Sequence, residues 1–189
     1  MNLTSLPNIL TVGRIVAVPL LVGLFYLEHP WAHVLSASVF IAAAITDSLD
    51  GYLARRMGIT SPLGEFLDPV ADKLIVAVAL VLLVGHDTRP FIVITAAVII
   101  GREITVSALR EWMAHLGSRA KVAVSGMGKV KTIVQMTGLS LMMFRQDVLG
   151  LPLYEIGTVL LVVAAALTLW SMVAYLQAAW PELRRTPGS

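Results

Sequence analysis

The chain contains no cysteine, so neither a disulfide framework nor a thiolate metal site can organise it. It is short of charge. Fourteen basic and 12 acidic side chains make up 14% of its 189 residues, where an ordinary soluble domain carries about 25%. That is too few to clothe a globule in water. Uncharged stretches long enough to cross a bilayer, about 20 residues, are also scarce: only Ile156 to Pro181 meets that length outright, and His29 to Thr46 comes close. A basic leader followed by a small-residue cleavage site is missing as well, so the first apolar segment is expected to stay in the protein. The net charge of +2 comes with no basic domain, and no nucleic-acid partner is expected.

What is present in excess is apolar surface, 57% of residues with a mean hydropathy of +0.82, which makes lipid the expected solvent. Chain breaks near His29-Pro30, Gly58 to Pro62, Gly85 to Pro90, Gly117 to Gly128 and Arg145 to Pro152 divide the chain into six helical spans. These start near residues 7, 31, 62, 90, 126 and 153. The uncharged runs Ile15–Leu27, Leu74–His86, Pro90–Gly101 and Thr132–Phe144 are each about a dozen residues, so four spans must carry charged stretches into the membrane. With a cytoplasmic N-terminus, all Lys and Arg except Arg89 and Arg145 fall on the cytoplasmic side. The expected architecture is therefore an all-α integral membrane protein with six transmembrane helices and both termini inside. It forms one domain over residues 1–189, with its chemistry in the bundle or at its inner mouth.

Asp47, Asp50, Asp68 and Asp72 lie toward the inner ends of spans two and three. On span two, Asp47, Asp50, Gly51 and Ala54 fall within an arc of about 100°, with Arg55 at its edge; on span three, Gly64, Asp68 and Asp72 repeat every fourth residue. Each face can turn its acids toward the other helix. An Asp at mid-membrane costs about 2.5–3.5 kcal/mol, so four unpaired acids would approach a whole protein's stability of about 5–15 kcal/mol. Local Arg or Lys, protonation or bound cations must neutralise them. Arg56 and Lys73 project elsewhere, and the four His lie near span ends. An all-carboxylate donor set suits a hard divalent ion, Mg²⁺ or Mn²⁺, and two such ions could clamp a phosphoryl transfer. Helix caps and surface ion pairs are the plainer alternative. Intramembrane acids also mark cation carriers, but carriers distribute them through the membrane depth, and these four lie toward one side.

The string Asp47-Ser48-Leu49-Asp50-Gly51-Tyr52-Leu53-Ala54-Arg55, followed by Gly64, Asp68 and Asp72, reads DxxDGxxAR(x8)GxxxDxxxD. It resembles, without departure at any position, the signature of the CDP-alcohol phosphatidyltransferases. The resemblance implies the six-helix fold of that family, two divalent ions on spans two and three, a homodimer, and attack of an alcohol on CDP-diacylglycerol with loss of CMP. It implies metal ligation by Asp47, Asp50, Asp68 and Asp72, with Asp72 also the base. It implies nucleotide contacts from Gly51, Ala54 and Arg55.

Leu6 to Arg14, Gly101 to Trp112 and Gly128 to Thr132 extend the likeness to the phosphatidylglycerophosphate synthases, over about residues 6 to 180. That branch implies sn-glycerol 3-phosphate as acceptor, its 1-hydroxyl as nucleophile, and a bacterial-type inner membrane. Other family members would take inositol phosphate or serine. A dianionic acceptor needs cationic donors, and Arg102, Arg110, Lys129 and Lys131 stand at the inner ends of spans four and five. Each fits equally as ordinary cytoplasmic-side charge in contact with bilayer lipids. Asn8, Thr11 and Arg14 step round one side of the first helix's entrance, where they line the nucleotide mouth or, for Asn8, cap or solvate the helix end. Pro19 and Pro69 interrupt helical runs, as kinks or as a device shaping the Asp68 site.

Overall fold

The computed structural model describes residues 6–57, 62–115 and 126–183. Within them, the side chains of 6–9, 48, 50–57, 62, 63, 65, 114, 115, 126–129, 178, 179 and 181–183 lie outside the description. Six α-helices follow one another: α1 Leu6–Tyr26, α2 Ala32–Met57, α3 Pro62–His86, α4 Pro90–His115, α5 Gly126–Phe144 and α6 Leu153–Leu183. Their starts agree with the sequence expectation to within one residue. Helices α3 and α4 open on a proline, whose missing N–H is one that a first helical turn leaves unbonded anyway. Neither Pro19 nor Pro69 ends its helix. The segment between α5 and α6 turns sharply, with positive φ at Arg145, Leu149 and Gly150 and an isolated bridge from Val148 to Leu151.

The bundle core is apolar and mainly aliphatic, drawn from every helix: Leu21, Phe40, Leu83, Ile99, Leu139 and Leu161 are among its most enclosed members. The outside is apolar too. Val16, Leu20, Ile45, Val81, Ile94 and Val159 each expose half or more of their surface. Apolar patches of that reach are uncommon on a soluble monomer and suit a hydrocarbon solvent. Several helix hydroxyls bond within their own turn, as Thr46 to the Ala42 carbonyl at 2.6 Å and Thr95 to the Phe91 carbonyl at 2.6 Å, which spares those donors a need for water. Pro90–Met113 and Leu153–Gln177 are long and apolar enough to cross a membrane; Leu10–Tyr26, Ala32–Asp47 and Val130–Phe144 are shorter apolar segments.

Two associations organise the bundle. Helix α1 packs along both α2 and α3, and α5 packs along α6, which also receives α4. The α5–α6 approach depends on two glycines. A Cβ on Gly138 would sit 2.9 Å from the Gly157 carbonyl oxygen, and one on Gly157 would sit 2.7 Å from that of Gly138. Backbones this close gain dispersion contacts that larger residues forbid. Gly23 on α1 faces open space. Gly138→Ala is expected to destabilise the protein by about 1–3 kcal/mol through overpacking, whereas Gly23→Ala stabilises it by about 0.5–1 kcal/mol through helix propensity. Thermal unfolding in detergent should separate the pair, and a stabilised Gly138→Ala would contradict the close crossing.

At the end of the bundle away from the acids, Asp87 collects the Arg89 side chain at 2.7 Å, the Arg89 backbone N–H at 3.1 Å and the Tyr154 hydroxyl at 2.9 Å. Arg89 also reaches Glu155 at 3.1 Å. These donors, Arg89 foremost, hold the Asp87 carboxyl below its ordinary value of 3.8. The depressed pKa gives stability that is present above the ordinary value and disappears as pH falls through the folded one. The melting temperature should therefore fall more steeply for the native chain than for Asp87→Asn as pH is lowered from about 6 to about 3; parallel curves would dissociate Asp87 from the acid limb.

Candidate active site

Spans two and three were expected to turn their acids directly on one another. They meet around α1, which packs on both. From α1 comes a cation. Arg14, with 1% of its side chain exposed, places one guanidinium nitrogen 2.8 Å from Asp47 Oδ1 and another 3.9 Å from Asp68 Oδ1, and it also pairs with Asp72. Thr11, one helical turn earlier and buried, donates its hydroxyl to Asp68. Sequence reasoning had put Thr11 and Arg14 together at a nucleotide mouth and had connected neither with the acids. The signal was the spacing Thr11 to Arg14, one turn, in a helix otherwise free of charge after its first residues.

Asp47, Asp68 and Asp72 are thus brought together, each with about 40% of its side chain exposed. The side chains of Asn8, Asp50, Gly51, Ala54 and Arg55 lie outside the described residues, although the helix carries their backbone. Among the described residues no three acids or histidines stand close enough to hold one ion as they are; the three aspartates close on Arg14. The donor set nevertheless fits a hard divalent cation. It is all oxygen, and three carboxylates outnumber one guanidinium.

The basic residues form a second cluster, from α4, α5 and α6. Arg102, 7% exposed, donates to Ser171 Oγ at 2.9 Å and to Glu103 at 3.3 Å, while the Lys131 ammonium lies 3.7 Å from the same Glu103 oxygen. Arg102 and Arg110, eight residues apart, share a face as expected: their guanidinium carbons lie 5.9 and 5.4 Å from the centre of the Tyr175 ring, and Arg110 reaches its hydroxyl at 3.3 Å. Lys129 lies outside the described side chains. Ser171 and Tyr175 were missed; their signal is a polar pair four apart on a mainly apolar α6.

A cavity of about 300 Å³ joins the two clusters. Arg14, Asp47 and Asp72 line one part and Glu103, Lys131 and Gln135 another, and Ala43, Ile75, Leu80 and Ile99 supply apolar wall. A ligand there can meet acids, bases and hydrocarbon at once. Such a space suits a polar reaction on an amphiphile.

An acid-lined, base-flanked cavity in a bundle with an apolar exterior fits a helical membrane protein that takes up a charged amphiphile. A profile of the CDP-alcohol phosphatidyltransferases matches residues 4–170, and the chain belongs to that family. Its apolar helices and this membership make it an integral membrane protein, of a family that uses divalent metal ions. It is 49% identical over 179 residues to a CDP-diacylglycerol–glycerol-3-phosphate 3-phosphatidyltransferase of Salmonella choleraesuis, covering 95% of this chain and 97% of the relative. The like-named protein of Pseudomonas fluorescens is 49% identical over 95% of this chain and 92% of its own length. A CMP-forming cardiolipin synthase of Oryza sativa is 46% identical over 95% of this chain and 58% of its own length.

Removing Arg14 would take from Asp47, Asp68 and Asp72 the one buried guanidinium that, among the described residues, pairs with all three. Arg14→Gln is expected to cost roughly 2–3 kcal/mol in chelator, below the value for a fully buried pair because the acids keep some solvent. Divalent ions should recover more of the melting temperature in the variant than in the native chain. An Arg14→Gln protein that melts like the native one in chelator would refute the counter-ion role.

Proposed function

We propose that the chain transfers the phosphatidyl group of CDP-diacylglycerol to the 1-hydroxyl of sn-glycerol 3-phosphate, giving phosphatidylglycerophosphate and CMP, in phosphatidylglycerol biosynthesis. The observation that carries this reading is one cavity lined together by Asp47, Asp72, Lys131 and aliphatic wall. Nearly full-length likeness to enzymes named for that reaction supports it.

Asp72 takes the proton of the acceptor's 1-hydroxyl as that oxygen bonds to the lipid-bearing phosphorus, and the bond from phosphorus to CMP breaks. Asp47, Asp50, Asp68 and Asp72 would hold two divalent ions, Mg²⁺ or Mn²⁺, whose charge when bound offsets that of the diphosphate and of the departing CMP. Gly51, Ala54, Arg55, Asn8 and Thr11 attend the nucleotide. Arg102, Arg110, Lys129 and Lys131 hold the acceptor phosphate, for which Lys131 must exchange part of its pairing with Glu103. The apolar wall takes the start of the acyl chains and excludes water that would compete as nucleophile.

Six spans with both termini in the cytoplasm keep the site at the inner face of a bacterial inner membrane, beside its water-soluble acceptor. Residues 1–189 act as one domain, and the working form is a homodimer. A lipid acceptor, phosphatidylglycerol, is the second reading, favoured by likeness to the plant cardiolipin synthase.

The decisive assay is CMP release from CDP-diacylglycerol with glycerol 3-phosphate, phosphatidylglycerol, inositol phosphate or serine, each with and without chelator. Release should require glycerol 3-phosphate and divalent ion. Release with another alcohol alone would refute the acceptor. Asp72→Asn should lower kcat about 10²- to 10⁴-fold while nucleotide binding holds, as for a lost base; parallel loss of binding and rate would make Asp72 chiefly a ligand.

A further inference from the structure

Gln135 stands on α5 one helical turn beyond Lys131 and lines the same cavity as Arg14, Asp47 and Asp72. Its side chain is buried, 7% exposed, and its Oε1 has no hydrogen-bond donor among the described residues. A buried amide oxygen without a donor is costly, and most such groups in folded proteins are satisfied. Ile99, Ile100 and Met136, which line the same cavity, carry no side-chain donor, and neither Lys131 nor Thr132 of the lining bonds to it. A ligand can supply what the fold does not.

We infer that Gln135 is a specificity-determining residue for the acceptor, its Oε1 accepting a hydrogen bond from the secondary hydroxyl of glycerol 3-phosphate. This rests on the proposed acceptor. An acceptor whose phosphate lies toward Lys131 and whose 1-hydroxyl reaches Asp72 presents its middle carbon between them. The hydroxyl there takes no part in bond making, so it is free to orient the molecule. Because Oε1 can only accept, it favours a middle carbon that carries a donor over one that carries hydrogen. A site built to bond a substrate hydroxyl rejects the analogue lacking it far more strongly than an apolar site rejects a bulkier one.

The test compares sn-glycerol 3-phosphate with propane-1,3-diol monophosphate, which lacks only the secondary hydroxyl, as acceptors for the full chain in detergent with CDP-diacylglycerol and divalent ion. The readout is the ratio of kcat/KM values by CMP release, which is internal to each preparation and insensitive to the fraction folded. The native chain should prefer glycerol 3-phosphate about 10- to 100-fold. Gln135→Met, similar in volume without the amide, should cut the preference to about threefold or less, and Gln135→Glu, which keeps an acceptor oxygen at that reach, should retain most of it. A native ratio near unity, or a Gln135→Met ratio like the native one, overturns the inference and leaves the acceptor reading standing. Turnover with another alcohol but none with glycerol 3-phosphate overturns both.

Discussion

One guanidinium among three carboxylates is the interaction on which the rest of the structure turns. Acids inside an apolar bundle repel one another and resist desolvation, and a single buried cation on a third helix converts that liability into a tie between helices. Arg14 accounts for the order of packing, in which α1 touches both α2 and α3. It also leaves the acid cluster short of positive charge. The same contact that holds the bundle end together thus preserves the deficit that a divalent ion and a diphosphate require.

The second constraint is spatial. A dianionic acceptor and an anionic liponucleotide must meet without their charges keeping them apart, so cations have to be near the acids without being consumed by them. Glu103 and Tyr175 manage this. They gather Lys131, Arg102 and Arg110 on α4 and α5 against α6, across the cavity from Asp47 and Asp72. The Gly138–Gly157 crossing, which brings α5 close to α6, is therefore tied to the geometry of the basic cluster, although it lies away from the cavity lining.

Much of this was legible in the residues. Helix starts were set by Pro and Gly near chain breaks, and the fourfold repeat of Gly64, Asp68 and Asp72 placed them on one face, because both signals act over a single turn. The partners of those acids were not legible. Arg14 is 33 residues from Asp47, and Ser171 is 69 from Arg102. No periodicity links positions on helices whose relative placement is itself the unknown. Gln135 was passed over for the same reason: an amide in an apolar stretch gains meaning only when its oxygen is known to receive no hydrogen bond.

The sequence by itself determined the solvent, the six helices, the acid motif and with it the family, since composition and local spacing carry those. Tertiary structure alone decided which cation answers the aspartates, which α6 side chains complete the basic cluster, and that both clusters open on one cavity. Those are matters of approach between segments distant in the chain, and they are settled by packing and charge balance rather than by any repeat along it.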